Sequence, residues 1–233
     1  MLKINFMGIY MEDLRKSSYR YERKYLIRNV DLPSFLYEIY NNHYIEVYEE
    51  RIINNLYFDD LDFNSLMDNI DGLSERKKYR LRWYGNTFEN SKKQFEVKSK
   101  SEFLNTKKVF NLGEYAIKDL TDFNRSFEKI KRHLLLNDQN LFFLFQKKSL
   151  MNFNSYERKY FLSTDKNIRI TIDKNLKFYS PTTKNVFKEN KVIVEIKYEK
   201  GYDFKNDINY LTLNKYSKYV KGIISTSFHN PLY

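Results

Sequence analysis

The 233-residue chain carries 41 Lys and Arg against 30 Asp and Glu, a formal charge of +11, with 42% hydrophobic residues and no cysteine. That length and apolar content support one sizeable core and no second ordinary domain, so we expect a variable extension over residues 1–18 and a single domain over 19–233. The lack of cysteine excludes a disulfide framework and a thiolate metal site, His43, His133 and His229 have no ligand spacing, and no run of about 18 apolar residues is present to span a membrane.

Taken in chain order, MLKINFMGIY at residues 1–10 is too short and polar for a signal sequence. Translation from Met11 would leave it a dispensable extension, and a cytoplasmic location is expected. Residues 19–28 (YRYERKYLIR) read as a strand, and Asp31-Leu32-Pro33 as the start of a helix reaching about Tyr40. β-Branched and aromatic content predicts a strand at 51–59 (RIINNLYFD), then a helix from Asp62 to Ile70 closed by Asp71-Gly72. Strands at 77–84 and 93–100 join through Gly85-Asn86 as a hairpin, and a helical stretch follows. From about Tyr115 to Leu150 the positions of Leu134, Leu135, Leu141, Phe142, Leu144 and Phe145 predict two amphipathic helices broken near Asn137-Asp138. Strand signals return at 155–162, 167–173 and 191–198, before a short helix near 205–213 and the basic segment KYSKYVKG. The word YERKY occurs at both 21–25 and 156–160, which is a hint of two-fold pseudo-symmetry or a coincidence in a Tyr- and Lys-rich chain.

Six strand-like segments place charged side chains two residues apart: Glu22-x-Lys24, Arg80-x-Arg82, Glu96-x-Lys98-x-Lys100, Glu157-x-Lys159, Arg169-x-Thr171-x-Asp173 and Glu195-x-Lys197. Residues i and i+2 of a strand share a face, so each segment has one ionic and one apolar face. Burying the apolar faces under helices predicts an α+β protein with a closed barrel of seven or eight mostly antiparallel strands and a charged interior. Such a lumen must hold water or an ionic ligand, because unpaired buried charge is too costly. Arg80 and Arg82 would stand about 7 Å apart at the backbone, a spacing that suits successive phosphates. Their forked donors match phosphate oxygens, Lys24, Lys98 and Lys197 add point charge, and Glu22, Glu96 and Glu195 offset it and could hold a hard divalent cation. The plainer reading of any single E-x-K is a solvated strand face. Six such segments favour a binding lumen.

ERKYLI at 22–27, NLYFDD at 55–60, RKKYRLRWYG at 76–85, FEVKSK at 95–100, RITID at 169–173, VEIKY at 194–198 and KYSKYVKG at 215–222 resemble, in order, the motifs of the VTC domain. That domain is the catalytic module of the vacuolar transporter chaperone complex, within the triphosphate tunnel metalloenzyme superfamily. The resemblance covers about Tyr19 to Gly222 and implies an eight-stranded tunnel that binds a triphosphate end-on and makes inorganic polyphosphate from ATP with Mn²⁺ or Mg²⁺. Lys24, Arg80, Arg82, Lys98 and Arg169 match the phosphate ligands, with Lys100 and Lys197 beside them. Ser217 and Lys218 resemble a late Ser-Lys pair, and Glu195 resembles the metal-binding glutamate. For a further lysine on the next strand, NTKKVF offers Lys107 or Lys108 outside the usual Ser-x-Lys-x-Arg context. An arginine near the second YERKY implies that Arg158, rather than Glu157 or Lys159, faces inward.

Phosphoryl transfer in such a site needs positioning and charge neutralisation rather than a covalent nucleophile. If the acceptor is the end of a phosphate chain the outcome is polymerisation, and if it is water the outcome is triphosphate hydrolysis. RLRWYG and Ser217-Lys218 lean toward the first. A rival from another class is a non-catalytic module that binds polyphosphate or nucleic acid, with aromatics beside basic residues stacking bases. Glutamates alternating with lysines on one face argue against nucleic acid, which is not an expected partner. No direct membrane insertion is expected, so export of product would need a membrane partner protein.

Overall fold

A computed structural model describes residues 20–102, 104–119, 122–199 and 211–227. In chain order they form β1 (Arg20–Arg28), α1 (Leu32–Asn41), β2 (Ile45–Asp59), α2 (Asn64–Ile70), β3 (Arg76–Tyr84), β4 (Ser91–Ser101) and β5 (Leu104–Tyr115). Then come α3 (Phe123–Asn137), α4 (Gln139–Gln146), β6 (Ser149–Leu162), β7 (Ile168–Tyr179), β8 (Val186–Lys188), β9 (Lys191–Glu199), β10 (Thr212–Leu213) and α5 (Lys218–Ser227). The strand order is β10-β1-β9-β7-β6-β2-β3-β4-β5, with β8 on β7. The β1–β9, β1–β10, β2–β3, β3–β4, β4–β5 and β7–β8 pairs are antiparallel.

The α+β class stands, but the closed eight-stranded barrel does not: the described residues form ten strands, and their order ends on β10 and β5. The surplus strands lie where period-two alternation is weak. β8 and β10 have three and two residues, and β5, whose side chains are mostly exposed, is the strand on which only the resemblance placed NTKKVF. The predicted helix near 205–213 falls largely outside the described residues; its last two positions form β10, and KYSKYVKG opens α5. No helix among the described residues is long and apolar enough to cross a membrane.

The chain divides into two compact units. The first draws on residues 1–49, 159–172 and 191–215. Its core joins Tyr25 and Ile27 of β1, Phe35 and Ile39 of α1, Phe161 of β6, Ile170 and Ile172 of β7, and Val192, Val194 and Ile196 of β9. Pro33 in its first turn pre-sets α1, and Phe35 and Ile39 lie four residues apart on one face, each contributing about 2 kcal/mol by burial. Alternation along β1 and β9 therefore turns Glu22, Lys24, Glu195 and Lys197 to the face away from α1.

The second unit draws on residues 50–158, 173–190 and 216–233. Leu56 and Phe58 of β2, Tyr79, Leu81 and Trp83 of β3, Phe95 and Val97 of β4 and Phe153 of β6 pack under Ile130 and Leu134 of α3 and Leu141 and Phe145 of α4. The two helices break at Asp138, as the sequence predicts, because its carboxylate accepts the Leu141 N–H at 3.0 Å and caps α4. α2 is capped from a distance. Phe63 ahead of it has a φ of 58° and supplies no cap, so buried Asp59 accepts the N–H groups of Ser65 at 3.1 Å and Leu66 at 3.0 Å, together with the Tyr219 hydroxyl. Asp59 in the NLYFDD motif is thus a structural acceptor.

Candidate active site

In the second unit, Tyr79, Leu81 and Trp83 enter the core, so Lys78, Arg80 and Arg82 occupy the opposite face of β3. Phe95 and Val97 do the same for Glu96 and Lys98 on β4. The register sets Lys78 opposite Lys98, and Lys98 opposite Lys107 of β5. Three lysines therefore stand abreast, with strands about 4.8 Å apart. Like charges directly opposite one another are unfavourable, which makes this row a natural seat for an anion.

Beside the row, Arg80 and Arg82 are each only 9% exposed. Arg80 Nε donates to Glu96 Oε2 at 2.6 Å, and Lys107 Nζ reaches Glu96 Oε1 at 2.7 Å. Burial alone would raise the Glu96 pKa, but Arg80, Arg82 and Lys107 outweigh it and hold the carboxyl at about 2. Burial, with Arg80 and Arg82 adding to it, keeps the Lys107 ammonium below its ordinary value despite Glu96. Lys108 points the other way and bridges Asp138 at 2.9 Å, so of the two candidates it is Lys107 that shares the face of Glu96. Arg82 meets neutral groups: its Nε donates to Asn55 Oδ1 at 2.8 Å and its NH2 to the Tyr156 hydroxyl at 3.3 Å.

Buried Asp173 of β7 takes Arg158 of β6 on both oxygens, with NH2 to Oδ2 at 2.7 Å, and also takes Lys218 Nζ on Oδ2. Burial opposes ionisation of Asp173, but Arg158 and Lys218 pull its pKa below the usual carboxylate range. Tyr156 is similarly raised by burial and pulled lower overall by Arg158, Arg82 and Lys218. Lys218 begins α5, and Ser217 just before it accepts from Lys78 Nζ at 3.2 Å. β3, β6, β7 and α5 thus converge on one array of cations.

In the first unit, the β1–β9 register sets Glu22 opposite Lys197 and Lys24 opposite Glu195. Lys24 reaches Glu22 at 3.0 Å, and Lys197 reaches Glu22 at 3.3 Å and Glu195 at 2.9 Å. Burial and the Glu195 charge push the Glu22 pKa up, yet Lys197 and Lys24 bring it below its ordinary value. Two carboxylates sharing one ammonium are hard oxygen donors of the kind that Mg²⁺ or Mn²⁺ takes. Glu96 fits a metal less well: it is buried with both oxygens on cations, whereas Glu22, whose oxygens also meet Lys24 and Lys197, is well exposed. No group of three or more His, Cys, Asp or Glu suited to a metal occurs among the described residues. Arg169 and Thr171 lie on the face of β7 opposite Ile170 and Ile172, and the Thr171 hydroxyl is buried with no hydrogen-bond partner among the described residues.

The structure thus gathers the predicted residues in two sets: Arg80, Arg82, Glu96, Lys98, Lys107, Arg158, Ser217 and Lys218 in the second unit, and Glu22, Lys24, Arg169, Glu195 and Lys197 in the first. Lys100 lies opposite Arg76 toward the end of β4. One segment is corrected. Glu157 and Lys159 alternate with Tyr156 and Arg158, and they pair with Lys174 at 3.3 Å and with Glu46 at 3.3 Å instead of joining the charged face. Sequence reasoning placed Asp173 on a charged face without a role, and missed Lys78, Asn55 and Tyr156 as members of the array. Lys78 stands two residues before Arg80, so alternation could have found it; neutral Asn55 and Tyr156 give no such signal.

A sheet with one face of closely spaced cations held by buried carboxylates is chemically suited to a chain of phosphates. The VTC domain matches residues 19–227, and the chain belongs to the VTC domain family. No curated protein sequence matches it. Among solved structures, it is similar to a Hippeastrum adenylyl cyclase candidate described as having a dominant triphosphatase activity, with a TM-score of 0.51 and 12% identity, covering 89% of this chain and 96% of that one. It is also similar to an adenylate cyclase candidate from Bacillus halodurans, with a TM-score of 0.42 and 11% identity over 89% of this chain and 87% of that one.

Proposed function

We propose that this chain is a metal-dependent phosphoryl transferase that acts on ATP and lengthens inorganic polyphosphate. The observation that carries the reading is the row of Lys78, Lys98 and Lys107 beside Arg80 and Arg82, in a chain of the VTC family. In this reading Lys24, Arg80, Arg82, Lys98, Arg169 and Lys218 bind and orient the phosphates, helped by Lys100, Lys107, Arg158, Lys197 and Ser217. Glu195 and Glu22 would hold Mn²⁺ or Mg²⁺, which when bound neutralises charge on phosphate oxygens. A terminal oxygen of the polyphosphate forms the new bond to the γ-phosphorus as the bond to the β,γ-bridging oxygen breaks, releasing ADP. Residues 19–233 act as one catalytic domain, working in the cytoplasm and passing product to a membrane partner where it is exported.

Hydrolysis is the second reading, favoured by the triphosphatase activity described for the Hippeastrum protein. Incubation with ATP and Mn²⁺, followed by gel separation, distinguishes them. Polymerisation gives a ladder, hydrolysis gives free phosphate alone, and a non-catalytic binding module leaves ATP unchanged. Glu195→Gln should retain triphosphate binding while losing turnover by at least about a hundredfold, because the cation's neutralisation of charge is lost.

A further inference from the structure

α3 and α4 each need only one apolar stripe to cover the core of the second unit. Phe123, Ile130 and Leu134 provide it on α3, and Leu141 and Phe145 on α4. Each helix nevertheless also exposes a pair of large apolar residues to water. Leu135 and Leu136 are 47% and 78% exposed, and Phe143 and Leu144 are 63% and 49% exposed. The two exposed pairs are separated along the chain by little more than the Asp138 break.

The charges that share their stripes have one sign. Exposed Arg132 lies three and four residues before Leu135 and Leu136, and exposed Lys147 lies four and three residues after Phe143 and Leu144, so a cation shares the stripe of each pair. Between residues 128 and 148 there are five Lys or Arg and two acidic residues. Glu128 pairs with Lys131, Lys148 pairs with Asp60, and Asp138 is occupied in capping α4 and in its bridge to Lys108, so Arg132 and Lys147 are the charges that share the stripes of the apolar pairs. A second copy presenting the same surface would bring these cations together, which disfavours self-association. An anionic lipid surface satisfies both features, taking the apolar side chains into the headgroup boundary and the cations among its phosphates and carboxylates.

We propose that the outer face of α3 and α4 docks onto an anionic membrane surface, lying on the bilayer without spanning it. This placement does not cover the face that carries the phosphate ligands, because α3 and α4 lie on the Phe95 and Val97 side of the strands while Arg80, Arg82 and Lys98 project from the other.

The test is co-sedimentation of the full chain with vesicles of equimolar phosphatidylcholine and phosphatidylserine, and with vesicles of phosphatidylcholine alone. Binding to the mixed vesicles only is expected. Leu136→Gln with Phe143→Gln, and separately Arg132→Gln with Lys147→Gln, should each weaken it by at least about tenfold with the melting temperature unchanged, since all four side chains are exposed. Failure of the wild type to bind mixed vesicles would overturn the proposal. So would binding that survives the Leu136 and Phe143 changes, which would reveal diffuse adsorption by the net charge of the chain. A concentration-dependent dimer abolished by those same changes would overturn it too, by identifying a second copy as the occupant.

Discussion

Glu96 and Asp173 play equivalent parts in the second unit, each a buried carboxylate bridging two cations drawn from different elements. Glu96 ties Arg80 to Lys107, and Asp173 ties Arg158 to Lys218. Each leaves the array less self-repelling before any anion arrives, and fixes the inner edge of a guanidinium so that its outer edge is directed. Buried ion pairs can add little net stability, but removing one partner strands the others. The Glu96 pKa is held at about 2, below its ordinary value of 4.5. Its ionised form is therefore favoured by folding, and that stability is fully present above pH 4.5 and is lost as pH falls toward 2. The difference corresponds to about 3 kcal/mol. Denaturant unfolding of the wild type and of Glu96→Gln should show the wild-type advantage shrinking across that window; an advantage that stays constant down to pH 2 would disprove the assignment.

At the scale of elements, α5 carries Lys218 into the array, and its seat on the strands has no slack. A Cβ on Gly222 would lie 2.4 Å from Asn152 Oδ1 and 2.8 Å from Phe178 Cδ1. Glycine to alanine in a free helix stabilises by about 1 kcal/mol. Here the helix must instead lift or its neighbours must shift, so Gly222→Ala should destabilise by about 1–3 kcal/mol and weaken triphosphate binding together. Calorimetry and titration with tripolyphosphate check both; unchanged stability would show that α5 has room to move. How far elements were legible in the sequence follows the strength of their periodicity. The α3–α4 break at Asp138 and the Gly85 hairpin were readable because capping and turn chemistry are local, whereas β8 and β10 were not, since very short strands leave no alternating record, and β5, mostly exposed, was placed as a strand only through the resemblance. Register is likewise non-local. The two YERKY words are identical, yet Tyr25 enters the core of β1 while in β6 Tyr156 and Arg158 face the charges, so the words sit one residue out of phase. Lys107 and Lys108 posed the same problem, because adjacent lysines cannot be assigned to a face until the strand's partners are known.

Over the whole molecule, a formal charge of +11 works against the folded state wherever cations are gathered, and the row of Lys78, Lys98 and Lys107 gathers three. A polyanion that binds only the native protein should relieve this and stabilise by mass action, by about 2.7 kcal/mol at a concentration one hundred times its dissociation constant. For a chain of this size that is a rise in melting temperature of about 5–10 °C. The rise should shrink with added salt, because the attraction is largely ionic. Lys98, exposed at the centre of the row, separates this effect from ordinary packing. Lys98→Gln removes a repelling charge and also a phosphate ligand. The ligand-free variant should therefore melt at or above the wild-type temperature, while its shift with millimolar tripolyphosphate should fall well below the wild-type value. A wild type that shows no shift with tripolyphosphate, with or without Mn²⁺, would mean that the lysine row does not serve as a phosphate seat. A variant that melts lower and keeps the full shift would mean that Lys98 is structural and that the anion binds elsewhere.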